Sequence, residues 1–254
     1  MLLRLAGIPE RIGYATQGRK WLLSHPRILP KGILDQHQIY YYLGILDSAE
    51  RDGFEPTPRI VVTEEESDWA VERFAREGVT ELPVGIVPGA TYGTAKRWSL
   101  ERYIEVARRI VRSGHRVVFF GSPGERALTQ EAHQAVGAGS LDLGGRTDVR
   151  QFMALLQRCP VVVCNDSGAM HIASSLGSRV VVPVGSTDPV TTRPWGKGHI
   201  LVRHPAACAP CIERDCPKGD HACMERIQTD EVWAAVRRAL SLSTSPEPES
   251  RLTQ

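Results

Sequence analysis

The chain has 254 residues, of which 42% are hydrophobic and 24% charged, and its formal net charge is +2. This length allows one large domain or two smaller ones, and the composition is that of an ordinary globular protein. The balance of 31 basic against 29 acidic residues gives no reason to expect a nucleic-acid-binding protein, which usually has a strong basic excess.

Membrane insertion and secretion are both disfavoured by the sequence. No apolar run approaches the roughly 18 residues of a membrane-spanning helix, so we expect no transmembrane segment. The apolar stretch of residues 1–7 is too short for a signal peptide. We therefore expect a cytoplasmic protein, in which the six cysteines favour thiols or a metal over disulfides.

Residues 1–80 form a first region with little regular pattern before its end. There, the apolar positions Trp69, Val71 and Phe74 predict a helix over Asp68–Glu77. The acidic cluster at residues 64–68 could supply paired catalytic carboxylates. A solvated helix start, stabilised by the helix dipole, explains the cluster better.

From about residue 81 to residue 240 the pattern alternates between strands and helices. The predicted strands are Val84–Val87, His115–Phe120, Val161–Cys164 and Arg179–Val184, and the predicted helices cover 100–111, 125–136, 149–158 and 168–176. Near-continuous apolar strands are typical of a parallel sheet covered on both faces. The sequence therefore predicts a doubly wound α/β domain, followed by a disordered tail at residues 241–254.

A polar loop, Pro88–Trp98, follows the first of these strands. Its glycines allow backbone amides to approach an anion closely, and Thr91 and Thr94 add hydroxyl groups. Lys96 and Arg97 bring positive charge to the start of the next helix. The loop has neither the Walker A nor the G-x-G-x-x-G pattern, which disfavours ATPases and dehydrogenases. We interpret it as a phosphate-binding loop; the alternative is an ordinary basic surface loop.

A second polar loop, Asn165–His171, follows the strand Val161–Cys164 and begins the next helix. The amides of Ser167 and Gly168 can form an anion cradle at the helix start. Asp166 can accept hydrogen bonds from sugar hydroxyls, and His171 could reach the same ligand. Taken singly, Asp166 could be a helix cap and His171 a structural histidine, but their co-occurrence at one strand end favours a binding site.

Three further loops close the remaining strand ends. They comprise residues 185–189, where Asp188 precedes a helix start at Pro189, and the glycine-containing loops 121–125 and 143–147. Glycine-rich crossings at several adjacent strands are typical of a nucleotide that lies across the carboxyl edge of the sheet. No one of these loops is specific by itself.

Taken together, the motifs resemble those of glycosyltransferase family 9. The segments that carry the resemblance occur in the family's order: Pro88-Gly-Ala, Ala95-Lys-Arg-Trp98, Phe120-Gly-Ser, Asn165-Asp-Ser-Gly-x-Met-His171 and Gly185-x-Thr-Asp-Pro189. Leu5–Leu23 is also similar to the later part of the family's N-terminal domain. The resemblance covers nearly the whole chain except the tail.

The resemblance implies a GT-B fold, with a Rossmann-like donor domain at 81–240 and residues 1–80 as the remnant of an incomplete N-terminal, acceptor-side α/β domain. It implies an inverting transferase that moves heptose from ADP-heptose to the lipid A–Kdo inner core of lipopolysaccharide and needs no cofactor. Because that acceptor lies at the inner-membrane face, the resemblance also implies a cytoplasmic protein with peripheral membrane contact.

The family's site residues transfer to matching positions of this sequence. Lys96 would hold the diphosphate, together with Thr91, and stabilise the charge on the departing ADP. Ser167 and Gly168 would hold the phosphates by their amides. Asp166 and His171 would bind the heptose, and the loop 143–147, with Gly145, would contact the adenine.

One family element has no counterpart in this sequence. Family members open with a strand and a Gly-Asp loop whose Asp is the proposed base for the acceptor hydroxyl, and nothing before Leu5 resembles it. An inverting transfer needs such a base, and no residue of this sequence can be assigned to that role. Either Met1 is a wrong start, or the chain is a fragment that binds nucleotide sugar without efficient turnover. For the function, a related glycosyltransferase with another donor remains an alternative.

Four cysteines lie close together near the C-terminal end: Cys208, Cys211, Cys216 and Cys223, with His204 and His221 nearby. Four thiolates suit a structural zinc ion. Their spacing is irregular beside zinc ribbons, however, so free thiols and a disulfide remain as alternatives. The other two cysteines, Cys159 and Cys164, are predicted to be core residues.

Overall fold

The computed structural model describes residues 2–46, 56–90 and 93–243. In chain order its regular elements are α1 (Leu2–Leu5), β1 (Ile12–Tyr14), β2 (His25–Arg27), α2 (Gln38–Leu43), α3 (Glu64–Arg76), β3 (Val84–Val87), α4 (Leu100–Arg112), β4 (Val117–Phe119), α5 (Arg126–Val136), β5 (Ser140–Asp142), α6 (Val149–Gln157), β6 (Val161–Cys164), α7 (Gly168–Ser175), β7 (Arg179–Pro183), α8 (Pro189–Thr192), β8 (Ile200–Val202), α9 (Ala222–Glu225) and α10 (Thr229–Ser243).

The chain divides into two compact units. The first comprises Met1–Pro56 and Pro189–Arg193, and the second comprises Thr57–Asp188 and Pro194–Gln254. The sequence placed the division near residue 80, whereas the contacts place it after residue 56, because α3 packs against α6 of the second unit. Of the predicted tail, residues 244–254 lie outside the described part of the chain, and α10 includes residues 241–243.

The first unit contains a parallel pair of strands. In this pair β1 lies beside β2, with Ile12 opposite His25 and Tyr14 opposite Arg27. Tyr14 is buried, and its hydroxyl donates a hydrogen bond to the Tyr41 carbonyl at 3.0 Å. In the same unit, His37 Nε2 lies 2.8 Å from the carbonyl oxygen of Arg193, which follows α8.

The second unit is built on a six-stranded parallel sheet with the order β5-β4-β3-β6-β7-β8. The strands β3, β4 and β6 are buried along their whole length, as their continuous apolar sequences predict. Apolar residues of α4, α5 and α10 pack in one core cluster, and those of α3, α6 and α7 pack in another. The prediction of a doubly wound α/β domain is confirmed.

The acidic cluster at residues 64–68 is a helix start, as we predicted. Helix α3 begins at Glu64, four residues earlier than predicted, because Thr63 caps it. The Thr63 hydroxyl accepts a hydrogen bond from the Glu66 amide, and the Glu66 carboxylate accepts one from the Thr63 amide. This reciprocal capping box satisfies two amides that the helix itself leaves unpaired.

Four described elements of the second unit had no clear signal in the sequence: β5, β8, α9 and α10. Strands β5 and β8 have only three residues each, too few to show a period. β5 also contains Ser140 and Asp142, which are polar yet buried.

Across the described ranges, no helix combines the length and apolar character needed to cross a membrane.

Candidate functional site

A cavity of about 390 Å³ opens at the carboxyl edge of the parallel sheet. Loops that follow β3, β4 and β6 meet there because the strands run in the same direction. The lining residues are Val87, Gly89, Ala90, Gly121, Ser122, Pro123, Glu125, Thr147, Asp148, Val149, Phe152, Ser167, Gly168, Ala169 and Ile172. This volume lies within the usual range for a small-molecule site.

Asn165, the first residue after β6, ties the loop after β3 to the sheet. Its side chain is fully buried. The amide nitrogen donates to the carbonyls of Pro88 and Gly89 at 2.7 and 3.2 Å. The amide oxygen accepts from the Trp98 backbone N–H at 3.0 Å and from the Tyr103 hydroxyl at 2.9 Å. One side chain therefore fixes both ends of the loop 88–98.

The sequence motif contained Asn165 but did not reveal this role. The only local signal was an amide side chain directly after a buried apolar strand. Such a side chain needs buried hydrogen-bond partners, yet the partners lie 62–77 positions earlier in the chain. Their identity depends on the strand order.

Lys96 and Asp166, two predicted donor-binding residues, lie side by side. The Lys96 ammonium is 3.8 Å from Asp166 Oδ2, and their side chains are 19% and 8% exposed. The Thr187 hydroxyl donates to the same carboxylate oxygen. Asp166 is therefore bound to Lys96 and Thr187, whereas the N-cap position of α7 belongs to Ser167. The structure thus disfavours the alternative in which Asp166 is merely a helix cap.

The start of α7 forms one wall of the cavity. Ser167 and Gly168 both line it, and open space lies where a side chain at Gly168 would project. Amide groups at a helix start have no partner within the helix and carry the positive end of its dipole. His171 is exposed on the same helix and does not line the cavity.

Two carboxylates also line the cavity, and neither was among the site residues predicted from the sequence. Glu125 Oε2 accepts hydrogen bonds from the amide and the hydroxyl of Ser122, each at 2.8 Å. Its other oxygen lies against Gly89, so that a side chain at Gly89 would collide with it. Asp148 caps α6 by accepting a hydrogen bond from the Gln151 amide at 2.8 Å.

The other residues predicted to bind the donor differ in whether they line the cavity. Thr91 lies outside the described residues. In the loop after β5, Thr147 lines the cavity but Leu143 is fully buried. Gly145 has a φ of +65°, and its amide donates a hydrogen bond to the Gly121 carbonyl at 2.9 Å. Gly145 therefore contacts the loop after β4.

The zinc site predicted at Cys208, Cys211, Cys216 and Cys223 stays a prediction. All six are free thiols, and the described residues contain no group of three or more Cys, His, Asp or Glu side chains that could hold a metal. Cys223 points into the core beside Gly185, whereas the Cys216 thiol faces Asp220 at 3.8 Å. His204 is engaged with Glu231 at 2.7 Å.

Cys211 and Cys208 lie close enough to Cys223 to affect its pKa. Burial raises the pKa of Cys223, and the nearby Cys211 and Cys208 raise it further. Cys159 and Cys164 are fully buried, and burial raises the pKa of each well above that of a free thiol. Their prediction as core residues is confirmed.

The family model for glycosyltransferase family 9 (heptosyltransferase) matches residues 1–221. The chain belongs to this family. Lipopolysaccharide heptosyltransferase 2 of Escherichia coli is 29% identical to it over 238 residues, which are 89% of this chain and 68% of that protein. The enzyme of the same name from Salmonella typhimurium is 29% identical over 247 residues, which are 93% of this chain and 70% of that protein.

A solved structure gives the same relationship. The structure of E. coli ADP-heptose lipopolysaccharide heptosyltransferase II has a TM-score of 0.77 and 26% sequence identity, covering 96% of this chain and 73% of that one. The predicted GT-B fold of this glycosyltransferase family 9 member is thereby confirmed. The sequence motifs resemble those of heptosyltransferase II, and both comparisons agree with that interpretation.

Proposed function

We propose that this family 9 glycosyltransferase binds ADP-heptose at the carboxyl edge of its six-stranded sheet and transfers the heptose to the lipid A–Kdo inner core of lipopolysaccharide. The observation that carries the proposal is the juxtaposition of a nucleoside-sized cavity, the start of α7 and the Lys96–Asp166 pair. The names of similar proteins, which mention lipopolysaccharide and ADP-heptose, support these donor and acceptor classes.

The charges around the cavity determine how the donor would lie. Glu125 and Asp148 line the cavity, and none of the lysines or arginines in the described part of the chain does, so a diphosphate is disfavoured there. Adenosine suits it: Phe152 offers an apolar contact for the base, and Glu125 can accept hydrogen bonds from ribose hydroxyls. The diphosphate would then lie between the start of α7 and Lys96, where both the dipole and the ammonium favour it.

The reaction would be a direct displacement at the anomeric carbon. The bond from that carbon to the diphosphate oxygen breaks, and the acceptor hydroxyl forms the new bond from the opposite face. Lys96 would stabilise the negative charge that develops on ADP, while Asp166 and His171 would bind heptose hydroxyls. The acceptor proton must pass to a base, and we assign no residue of this chain to that role.

The first unit has a surface that suits an acceptor in a membrane. Residues 2–46 contain six lysines and arginines but two acidic residues. Trp21 is 65% exposed, and Leu2, Leu3 and Leu5 are exposed as well. Basic and apolar groups together favour an anionic lipid surface. We propose peripheral contact with the inner membrane; sedimentation with anionic but not zwitterionic vesicles would support it.

The zinc site predicted at Cys208, Cys211, Cys216 and Cys223 stays a prediction, and metal removal tests it. If these thiols hold a structural zinc ion, treatment with a chelator should lower the melting temperature, and added zinc should restore it. An unchanged melting temperature would refute the zinc site.

Thermal denaturation with ADP tests the donor site. At 100 times its dissociation constant, a ligand stabilises the folded state by about 2.7 kcal/mol, so ADP should raise the melting temperature by roughly 5–10 °C. Lys96→Ala should remove most of the shift. Lys197→Ala is the matched control, because Lys197 lies in the loop before β8, at the amino ends of the strands.

The outcomes separate the candidate functions. A shift with ADP but not with UDP supports the adenine nucleotide, and the reverse would indicate a glycosyltransferase with another donor. No shift with ADP or ADP-heptose would overturn the site. Release of ADP from ADP-heptose in the presence of lipid A–Kdo would establish transfer, whereas binding without release would indicate a binding fragment.

A further inference from the structure

The loop that carries Lys96 is held by a distant part of the chain. We call residues 88–98 the donor loop and residues 208–223 the cysteine segment. The Asp215 carboxylate accepts hydrogen bonds from the Thr94 hydroxyl at 2.8 Å and from the Thr94 amide at 3.2 Å. These two residues are 121 positions apart, so the contact is a product of the fold.

A backbone contact continues this attachment. The Ala95 amide donates to the Arg214 carbonyl at 3.1 Å. At Gly93 the backbone has a φ of +148°, and a side chain there would collide with the Arg214 carbonyl. The close approach of the two segments therefore requires a glycine at position 93.

The charges agree with this geometry. The hydrogen bonds from Thr94 hold the pKa of Asp215 below its usual value, and the positive charges of Arg214 and Arg97 lower it further. Asp215 is consequently a carboxylate at any pH at which the protein would act. Charged acceptors form stronger hydrogen bonds than neutral ones.

We propose that Asp215 is a positioning residue for the transfer reaction: by fixing Thr94, it holds Lys96 where the donor diphosphate binds. Asn165 fixes the two ends of the donor loop from inside the sheet, and Asp215 fixes its middle from outside. The cysteine segment thus serves the site without contacting the cavity. This inference rests on the proposed function, because Lys96 acts on a diphosphate only if one binds there.

The experiment measures the ADP dissociation constant by titration calorimetry for variants of the full chain. Asp215→Ala should weaken ADP binding on the order of fivefold, the scale of a solvent-accessible charge-assisted contact. Asp215→Asn should lose less, because its amide oxygen still accepts a hydrogen bond. Asp220→Ala is the control: Asp220 lies in the same segment but accepts from the Ala222 amide.

A double-mutant cycle tests whether Asp215 acts through Lys96. In a Lys96→Ala background, Asp215→Ala should cause no further loss of ADP affinity. An equal loss in both backgrounds, or no loss in either, would overturn the inference while leaving the proposed donor site intact. Asp215 is exposed, so we expect the variant to fold with an unchanged far-ultraviolet spectrum.

Hydrogen exchange distinguishes this inference from the proposed function. Without ligand, Asp215→Ala should speed exchange of the Thr94 and Ala95 amides, while Asp220→Ala should leave them unchanged. If the unaltered protein binds no ADP, the donor site fails, and with it the reaction that Asp215 would serve. If ADP binds but exchange of these amides stays the same in Asp215→Ala, the positioning role alone is refuted.

Discussion

Replacing Asn165 by alanine tests the hydrogen-bond arrangement beneath the donor loop. The change leaves two buried donors, the Trp98 amide and the Tyr103 hydroxyl, and two loop carbonyls without their partner. An unsatisfied buried group costs about 1–3 kcal/mol. If water entering the new space satisfies half of the four, the free energy of unfolding falls by about 3–4 kcal/mol.

Urea denaturation, followed by tryptophan fluorescence, measures this loss. The matched variant is Tyr103→Phe, which removes one hydrogen bond but leaves the Asn165 oxygen with the Trp98 amide. It should cost about 1 kcal/mol. In thermal denaturation, Asn165→Ala should lower the melting temperature by about 10 °C, and Tyr103→Phe by about 3 °C.

The comparison can fail in two ways. A loss below about 1 kcal/mol for Asn165→Ala would mean that the loop carbonyls and buried donors have other partners. Equal losses for Asn165→Ala and Tyr103→Phe would mean that the Tyr103 bond alone matters. Either result would refute the argument that Asn165 fixes the donor loop.

Two further predictions concern stability. Gly144→Ala should lower the free energy of unfolding by about 1–3 kcal/mol, because the alanine side chain would overlap the buried, β-branched Thr129. The control is Gly124→Ala, whose side chain would meet nothing within 4 Å and which should be nearly neutral. Equal effects of the two variants in urea denaturation would refute the packing argument. Hydrogen bonds from Arg150 and, to a lesser extent, from the Thr63 amide lower the pKa of Glu66 to about 2, so the pair with Arg150 stabilises the fold above the unfolded pKa, and this contribution disappears as pH falls from about 5 to 2. The stability difference between the unaltered protein and Arg150→Gln should therefore shrink over that range; a constant difference would contradict it.

The sequence by itself determined the doubly wound sheet and indicated where the proposed donor site lies. Runs such as Val161–Cys164 are apolar over their whole length, which is typical of a strand buried on both faces. Polar, glycine-containing loops directly after such strands must meet at one edge of a parallel sheet. Lys96, Ser167 and Gly168 could therefore be assigned to one region, because short stretches of the sequence show both the strand ends and the alternation of strands and helices that makes the strands parallel.

Only the tertiary structure decided which residues support that site. Asn165 meets Pro88, and Asp215 meets Thr94, across 77 and 121 positions of the chain. Local periodicity in the sequence does not reveal such contacts, because they depend on the strand order and on the path of each long loop. The same holds for the four cysteines: their close spacing predicts a metal site, but only the fold places the Cys223 thiol in the core and the Cys216 thiol beside Asp220.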